Sequence, residues 1–130
     1  REAWVREYAE LWRLKRESLE ANGWKTLHVE VKSQYGLHMR PSSSVSSIAS
    51  QHDCDIYVHR PGMTYYNFSV NGTTFLNAKS IVLLLRLGAV QGDTVTFIAT
   101  GKQADEALRA VKRLIDEGGD SRSQVVTYNP

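Results

Sequence analysis

The sequence predicts an α+β fold, an open-faced β-sandwich in which a mostly antiparallel sheet carries three helices on one face, preceded by an extra N-terminal helix. Two observations predict it. After a first amphipathic helix, segments with the alternation of strands and the periodicity of helices follow in the order strand, helix, strands, helix, strand, helix. Between two strand-like segments, Asn71-Gly72 is a strong type I′ hairpin signal, which favours antiparallel pairing.

The first segment, residues 2–20, is predicted to be an amphipathic helix that stops at Asn22-Gly23. Its apolar stripe is too large to remain exposed comfortably. Two interpretations stay open: the helix folds back onto its own sheet, or it mediates a homodimer or docks a larger protein. The stripe consists of Trp4, Tyr8, Leu11, Trp12 and Leu19.

The remaining elements follow from alternation, periodicity and turn residues. Strands are predicted over residues 24–32, 55–60, 65–70, 73–76 and 93–100. Helices are predicted over about residues 41–51, where Pro41 suits the first turn, over residues 81–87, closed by Gly88, and from Asp105 to Gly118-Gly119. The buried stripe of the last helix is predicted to be Ala107, Leu108, Val111, Leu114 and Ile115. Residues 124–128 could form one more extended piece.

Composition excludes several classes of protein. The chain has 130 residues, 42% of them hydrophobic, which suits a single domain with a modest core. Its longest apolar run is too short to insert in a membrane, and a net charge of +2 gives no reason to expect nucleic acid as a partner. One cysteine, Cys54, and no visible signal peptide predict a cytoplasmic protein. Since the chain begins with Arg1, further domains before it are left open.

A histidine lies where a strand is predicted to turn into a helix, in the stretch Gly36-Leu37-His38-Met39-Arg40-Pro41. The first N–H groups of a helix have no internal partner and carry the positive end of its dipole. An imidazole there can accept a phosphoryl group, whose charge of about −2 these N–H groups and the Arg40 guanidinium would neutralise. A histidine that merely caps the helix is the alternative interpretation of this stretch alone.

A second motif follows about forty residues later: Asn77-Ala78-Lys79-Ser80-Ile81, and then Leu87-Gly88-Ala89, Gly92-Asp93-Thr94-Val95 and Gly101 before an amphipathic helix. In this order, the two motifs resemble HPr, the histidine phosphocarrier of the bacterial phosphoenolpyruvate-dependent sugar phosphotransferase system. The resemblance covers residues 24–117 and implies the open-faced sandwich of that family. It divides the chain into an N-terminal helical extension, residues 1–23, a carrier domain, residues 24–118, and a polar tail, residues 119–130.

The resemblance implies roles for individual residues. His38 would take the phosphoryl group from enzyme I on its Nδ1 atom and pass it to a sugar-specific enzyme II component, with Arg40 helping to hold the phosphate. The chain would thus be a stoichiometric carrier and not a turnover enzyme. Ser80 matches the serine that an HPr kinase phosphorylates in many Gram-positive bacteria, but its place at a helix start favours the plainer interpretation, an N-cap hydroxyl that closes the helix. Partner-facing apolar positions would be Met39, Ile81, Val82 and Leu85.

Three features depart from the family. Met39 replaces a residue that is commonly small, and residues 60–66 are a surplus, either an extended hairpin or an inserted strand. The first core helix is rich in serine and lacks the lysines that assist docking on acidic partners, so docking here is expected to be weaker or aimed at another partner. Its serines are expected to be solvated surface. A regulatory interaction module controlled at Ser80, or a domain of a larger phosphotransferase protein, remains the alternative.

No cofactor motif is visible, and no metal site is predicted. His52, Cys54 and His59 could be drawn as metal ligands, but they form no paired ligand motif, and alternate residues of a strand face opposite sides.

Overall fold

The computed structural model describes residues 2–118, without the side chains of residues 2–5 and 8. The predicted tail, with its extended piece over residues 124–128, lies outside the described residues. Within the described part of the chain the elements are α1 Glu2–Ala21, β1 Lys25–Glu30, α2 Met39–Gln51, β2 Asp55–His59, β3 Phe68–Val70, β4 Thr73–Asn77, α3 Ile81–Leu87, β5 Thr94–Thr100 and α4 Ala104–Asp116.

The strands form one sheet in the order β1-β5-β2-β4-β3, and every neighbouring pair is antiparallel. β5 lies between β1 and β2, so that Phe97 is paired with Leu27 on one side and with Val58 on the other. This sheet confirms the predicted α+β open-faced sandwich. The hairpin prediction is confirmed as well, since Val70 pairs with Thr73 across Asn71-Gly72, whose φ angles are 50° and 83°.

α2, α3 and α4 cover one face of the sheet. Alternate residues of β5, Val95, Phe97 and Ala99, point into this layer and are fully buried. The predicted buried stripe of α4 is also confirmed by its place in the same core. The largest apolar core of the domain therefore lies between the sheet and these three helices.

α1 covers the opposite face, which the other three helices leave open. Trp12 and Leu19 are 3% and 2% exposed and pack against Phe75 and Ile98 of the sheet. The helix ends in a Schellman motif, in which the N–H of Gly23 donates to Glu20 O and the N–H of residue 24 donates to Leu19 O, both at 3.0 Å. The sequence leaves two arrangements of this helix open. The structure has the intramolecular one, in which α1 folds back onto its own sheet.

The predicted apolar stripe of α1 is too wide, because Leu11 is 52% exposed. Trp12 and Leu19 are seven residues apart, close to two helical turns, and share one narrow face, whereas Leu11 lies about 100° from Trp12 around the helix axis. Trp4 and Tyr8 lie outside the described side chains. A homodimer through α1 stays a prediction.

Residues 60–67 form an irregular connection between β2 and β3, so the surplus is neither an extended hairpin nor an inserted strand. The strand predicted over residues 65–70 is shorter than expected, since β3 begins only at Phe68. The connection is held against the end of α3. Arg60 Nε donates to Leu87 O at 2.7 Å, and the Arg86 guanidinium lies 3.9 Å from the centroid of the Tyr65 ring. These contacts, together with the N–H of Asn67 donating to Phe75 O of β4 at 3.1 Å, fix the segment.

α2 begins at Met39, two residues earlier than predicted, and its serines are not all solvated surface. Ser42 is fully buried and donates through Oγ to Leu37 O at 2.9 Å. Ser46 is 8% exposed and donates to Lys79 O at 2.6 Å. The expectation for these two serines was wrong, because a small hydroxyl can be buried on a helix when a nearby carbonyl accepts its proton.

Candidate functional site

The loop over residues 33–37 fixes the position of His38. Gly36 has φ +70°, and a Cβ atom there would lie 2.4 Å from Ala89 O, so a side chain would meet both backbone strain and a clash. The N–H of the next residue, Leu37, donates to the same Ala89 carbonyl at 3.1 Å, and its side chain is buried. The glycine therefore lets this loop pack tightly on the loop after α3 and delivers His38 to a defined point.

His38 is the N-cap residue of α2. Its backbone is extended, with φ −77° and ψ −167°, and its carbonyl accepts the N–H of Ser42 at 3.0 Å. Its imidazole makes no capping hydrogen bond and is half-buried. In the first turn, the N–H groups of Met39 and Arg40 have no acceptor within the helix, and Pro41 has no N–H at all. The ring therefore lies at the positive end of the helix dipole, close to these backbone donors.

The structure brings His38 and Arg40 together, as the sequence predicts for these two residues. They line one open cavity of about 470 Å³ with Met39, Ser43 and Ser44. Within the described part of the chain this lining includes one guanidinium and two hydroxyls and no carboxylate. Such a cavity is suited to an anion that must remain accessible from solvent.

Ser80 lies on a neighbouring helix and is the N-cap residue of α3. Its Oγ accepts the N–H of Leu83 at 3.2 Å, which is the capping bond that the sequence predicts. The segment just before it is tied to α2 by the bond from Ser46 to Lys79. The two motifs therefore begin adjacent helices that are connected directly. Phosphorylation of Ser80 stays a prediction.

The four residues predicted to face a partner are all exposed, by 60% for Met39, 36% for Ile81, 66% for Val82 and 37% for Leu85. The core side of α3 is formed instead by Leu84 and Leu87, which are 0% and 1% exposed. Core packing therefore does not account for Met39 and Val82, whereas Ile81 and Leu85 are partly covered by the domain.

Sequence reasoning missed Tyr35. Its ring centroid lies 5.7 Å from that of His38, with the two planes at 86°, and the side chain is 72% exposed. The only signal in the sequence is its place three residues before the histidine, and an aromatic residue in a loop does not by itself indicate a site.

The three residues considered as metal ligands lie in different environments. His52 Nδ1 is 2.7 Å from Ile48 O at the end of α2. Cys54 is buried in the core under the helices, and this burial raises the pKa of its thiol. His59 faces α1 on the other side of the sheet, where its Nδ1–H donates to Thr74 O at 2.8 Å. Among the described residues, no group of three His, Cys, Asp or Glu side chains is placed to hold a metal ion.

Comparison with known proteins agrees with this geometry. Residues 25–117 match the family model described as the PTS HPr component phosphorylation site. The phosphocarrier protein HPr of Vibrio cholerae is 35% identical over 89 residues, which are 68% of this chain and 92% of that protein. The multiphosphoryl transfer protein of Haemophilus influenzae is 28% identical over 102 residues, 78% of this chain but only 19% of that larger protein.

A solved structure gives the same result for the fold. The crystal structure of HPr from Thermoanaerobacter tengcongensis superposes with a TM-score of 0.60 at 30% identity, covering 73% of this chain and 94% of that one. Of the helices described, none combines the length and the hydropathy that a membrane span requires.

Proposed function

Because this chain belongs to the HPr family of the phosphotransferase system, we propose that it carries a phosphoryl group on His38, accepting it from enzyme I and passing it to a sugar-specific enzyme II component. The observation that supports this proposal is the position of the His38 ring. His38 is the N-cap residue of α2, its ring makes no capping hydrogen bond, and it shares an open cavity with Arg40. We propose residues 24–118 as the carrier unit.

Phosphoryl transfer to His38 needs only a nucleophilic nitrogen and positively polarised groups that hold the phosphate. The lone pair of His38 Nδ1 attacks phosphorus, a P–N bond forms, and the bond between phosphorus and the donor's leaving group breaks with its electron pair going to that group. The first-turn N–H groups and the Arg40 guanidinium neutralise part of the charge of about −2 that arrives. Transfer to the acceptor is the same displacement with the imidazole as the leaving group.

The exposure of the site supports a carrier rather than a hydrolase. His38 is half-buried in an open cavity, so two different proteins can reach the same nitrogen in turn. No carboxylate lines the cavity in the described part of the chain, so none is placed there to activate a water molecule against the phosphoramidate.

The exposed apolar residues support docking of the donor on the His38 side of the molecule. Met39 follows His38 directly, while Ile81, Val82 and Leu85 lie on the outer side of α3, next to α2. Burial of such side chains is driven mainly by the hydrophobic effect and depends little on ionic strength. We therefore infer an apolar docking surface in place of the lysine-assisted docking that is common in the family.

Phosphorylation by phosphoenolpyruvate and enzyme I tests the proposal. We expect one phosphoryl group per chain, on His38, with a label that is acid-labile and alkali-stable. The variant His38→Ala should lose the label completely, whereas His52→Ala, at the other end of the same helix, should keep it. A label that persists in His38→Ala, or wild-type protein that takes none from its cognate enzyme I, would reject the carrier function.

A further inference from the structure

We propose that Tyr35 is a positioning residue for phosphoryl transfer, whose ring restricts the rotation of the His38 imidazole. The inference rests on the proposed function of His38 and adds a residue that acts through it. It starts from the edge-to-face contact of the two rings, with centroids 5.7 Å apart and planes at 86°. This is one of the arrangements that aromatic pairs prefer.

The backbone of Tyr35 is held in place although its side chain is in solvent. The N–H of Tyr35 donates to Ser33 Oγ at 3.2 Å, and the N–H of Gly36 donates to Ser33 O at 3.0 Å. Gly36 in turn is packed on the Ala89 carbonyl, where no side chain would fit. The Tyr35 ring therefore extends from a fixed point, and its position beside His38 follows from the loop.

The exposure of Tyr35 is otherwise unexplained. At 72% it is the most exposed of the large apolar and aromatic side chains in the described part of the chain. A ring in this position contributes little to the core, and among the described residues its one ring contact is with His38. We infer that the contact serves the imidazole, which has no capping hydrogen bond of its own to orient it.

Restricting the imidazole affects the rate of transfer. Nδ1 attacks productively only when the ring directs its lone pair at phosphorus while the phosphate oxygens meet the donors of α2. An edge-to-face contact shifts the population of ring orientations by about two- to tenfold. Loss of the Tyr35 ring should slow phosphorylation of His38 by that factor.

The test uses potassium phosphoramidate as a small donor, so that no protein partner is involved. His38 Nδ1 attacks phosphorus, the P–N bond of phosphoramidate breaks, and its nitrogen leaves as ammonia after taking up a proton, while the imidazole releases its Nε2 proton to solvent. Rates are compared for the wild type, Tyr35→Ala and Tyr35→Phe. Tyr66→Ala, which removes another exposed tyrosine at 53%, is the matched control.

We expect Tyr35→Ala to react two- to tenfold more slowly, and Tyr35→Phe and Tyr66→Ala to react at the wild-type rate. A wild-type rate for Tyr35→Ala with phosphoramidate would overturn the proposal. If phosphorylation of this variant by enzyme I were then slow, Tyr35 would contact the partner instead of positioning His38. A slow rate for Tyr35→Phe would overturn it too, because the hydroxyl and not the ring would be responsible.

NMR couplings measured in the unphosphorylated protein test the positioning role of Tyr35 without relying on the carrier function. The χ1 couplings of His38 should report one dominant rotamer in the wild type and in Tyr35→Phe, and an average over rotamers in Tyr35→Ala. Unchanged couplings in Tyr35→Ala would refute the positioning role. A wild-type protein that accepts no phosphoryl group would refute the proposed function, whatever these couplings show.

Discussion

The first turn of α2 supplies two backbone N–H groups, those of Met39 and Arg40, because Pro41 occupies the third helical position. Backbone donors carry only the partial charge of the helix dipole, equivalent to about half an elementary charge. A phosphoryl group brings about −2, so most of the compensation must come from a full positive charge. Arg40 is the cationic side chain in the lining of the His38 cavity.

We predict that Arg40→Ala slows phosphorylation of His38 by about ten- to hundredfold, the range that corresponds to losing one charge-assisted hydrogen bond. The fold should be retained, since Arg40 is half-exposed and lies outside both apolar cores. Stopped-flow or quench-flow rates with enzyme I check the first point and thermal unfolding the second. Arg113→Ala, on the exposed face of α4, is the control. Equal rates for the two variants would show that the backbone donors suffice.

Sequence predicts part of this site and not all of it. The spacing of His38, Arg40 and Pro41 is local, and local spacing decides which residues meet at the start of a helix. Tyr35 was missed because its contact with His38 depends on the path of the loop, which in turn depends on Gly36 packing against Ala89, far along the chain. Pairings of this kind are not encoded in periodicity.

At the scale of elements, both ends of the short helix α3 are closed by hydrogen bonds. Ser80 accepts from Leu83 N–H at the start, and Gly88, in a left-handed conformation, donates to Leu85 O at the end. A helix of seven residues has few internal bonds, so capping contributes a large share of its stability. Since α3 also carries the exposed residues Ile81 and Val82, the cap bears on any docking through them.

We predict that Ser80→Ala lowers the free energy of unfolding by about 1 kcal/mol, while Ser80→Asp leaves it nearly unchanged because aspartate is also a good N-cap. Urea denaturation measures both. If the apolar surface beside Ser80 docks enzyme I, the charge of Ser80→Asp should still slow phosphorylation of His38. Ser69→Asp, on the edge strand β3, is the control for charge alone. Unaltered kinetics in Ser80→Asp would argue against regulation at this site.

Elements with a strong periodic signal were predictable, and those that depend on tertiary contacts were not. The stripe of α4 and the hairpin at Asn71-Gly72 match the prediction, because apolar spacing and positive φ angles are local properties. The burial of Ser46 depends on a carbonyl 33 residues away, at Lys79. The irregular course of residues 60–67 likewise depends on α3, so alternation of residue types could not predict it.

At the scale of the whole molecule, α1 turns an open-faced sandwich into a sheet covered on both faces. The indole of Trp12 lies between two histidines of the sheet, with ring centroids 5.1 Å from His28 and 5.4 Å from His59. His28 Nδ1 is 2.8 Å from Thr96 Oγ1, and its Nε2 is buried with no hydrogen-bond partner among the described residues. α1 therefore packs on imidazoles that have little water to solvate a positive charge.

This environment disfavours protonation of both histidines. Burial lowers the pKa of His28 to about 4, and the positive charge of Arg16 and the neighbouring His59 act in the same direction. Burial also lowers the pKa of His59, helped by Lys15 and Arg60 and opposed by its hydrogen bond to Thr74 O. Arg16 and Lys15 belong to α1 itself, so protonated histidines would repel the helix that covers them.

We predict that acidification weakens the packing of α1. The unfolded chain protonates His28 near the ordinary pKa of 6.5, whereas the folded protein does so only near 4, so the unfolded state binds more protons between these values. The free energy of unfolding should therefore be highest above pH 6.5 and fall as the pH is lowered toward 4. Trp12 fluorescence and thermal unfolding from pH 7.5 to 4 measure this loss of stability.

His28→Asn, whose amide can keep the bond to Thr96, should flatten the profile of unfolding free energy against pH, while His52→Asn, outside this interface, should not. An unchanged slope in His28→Asn would show that other groups titrate in this range.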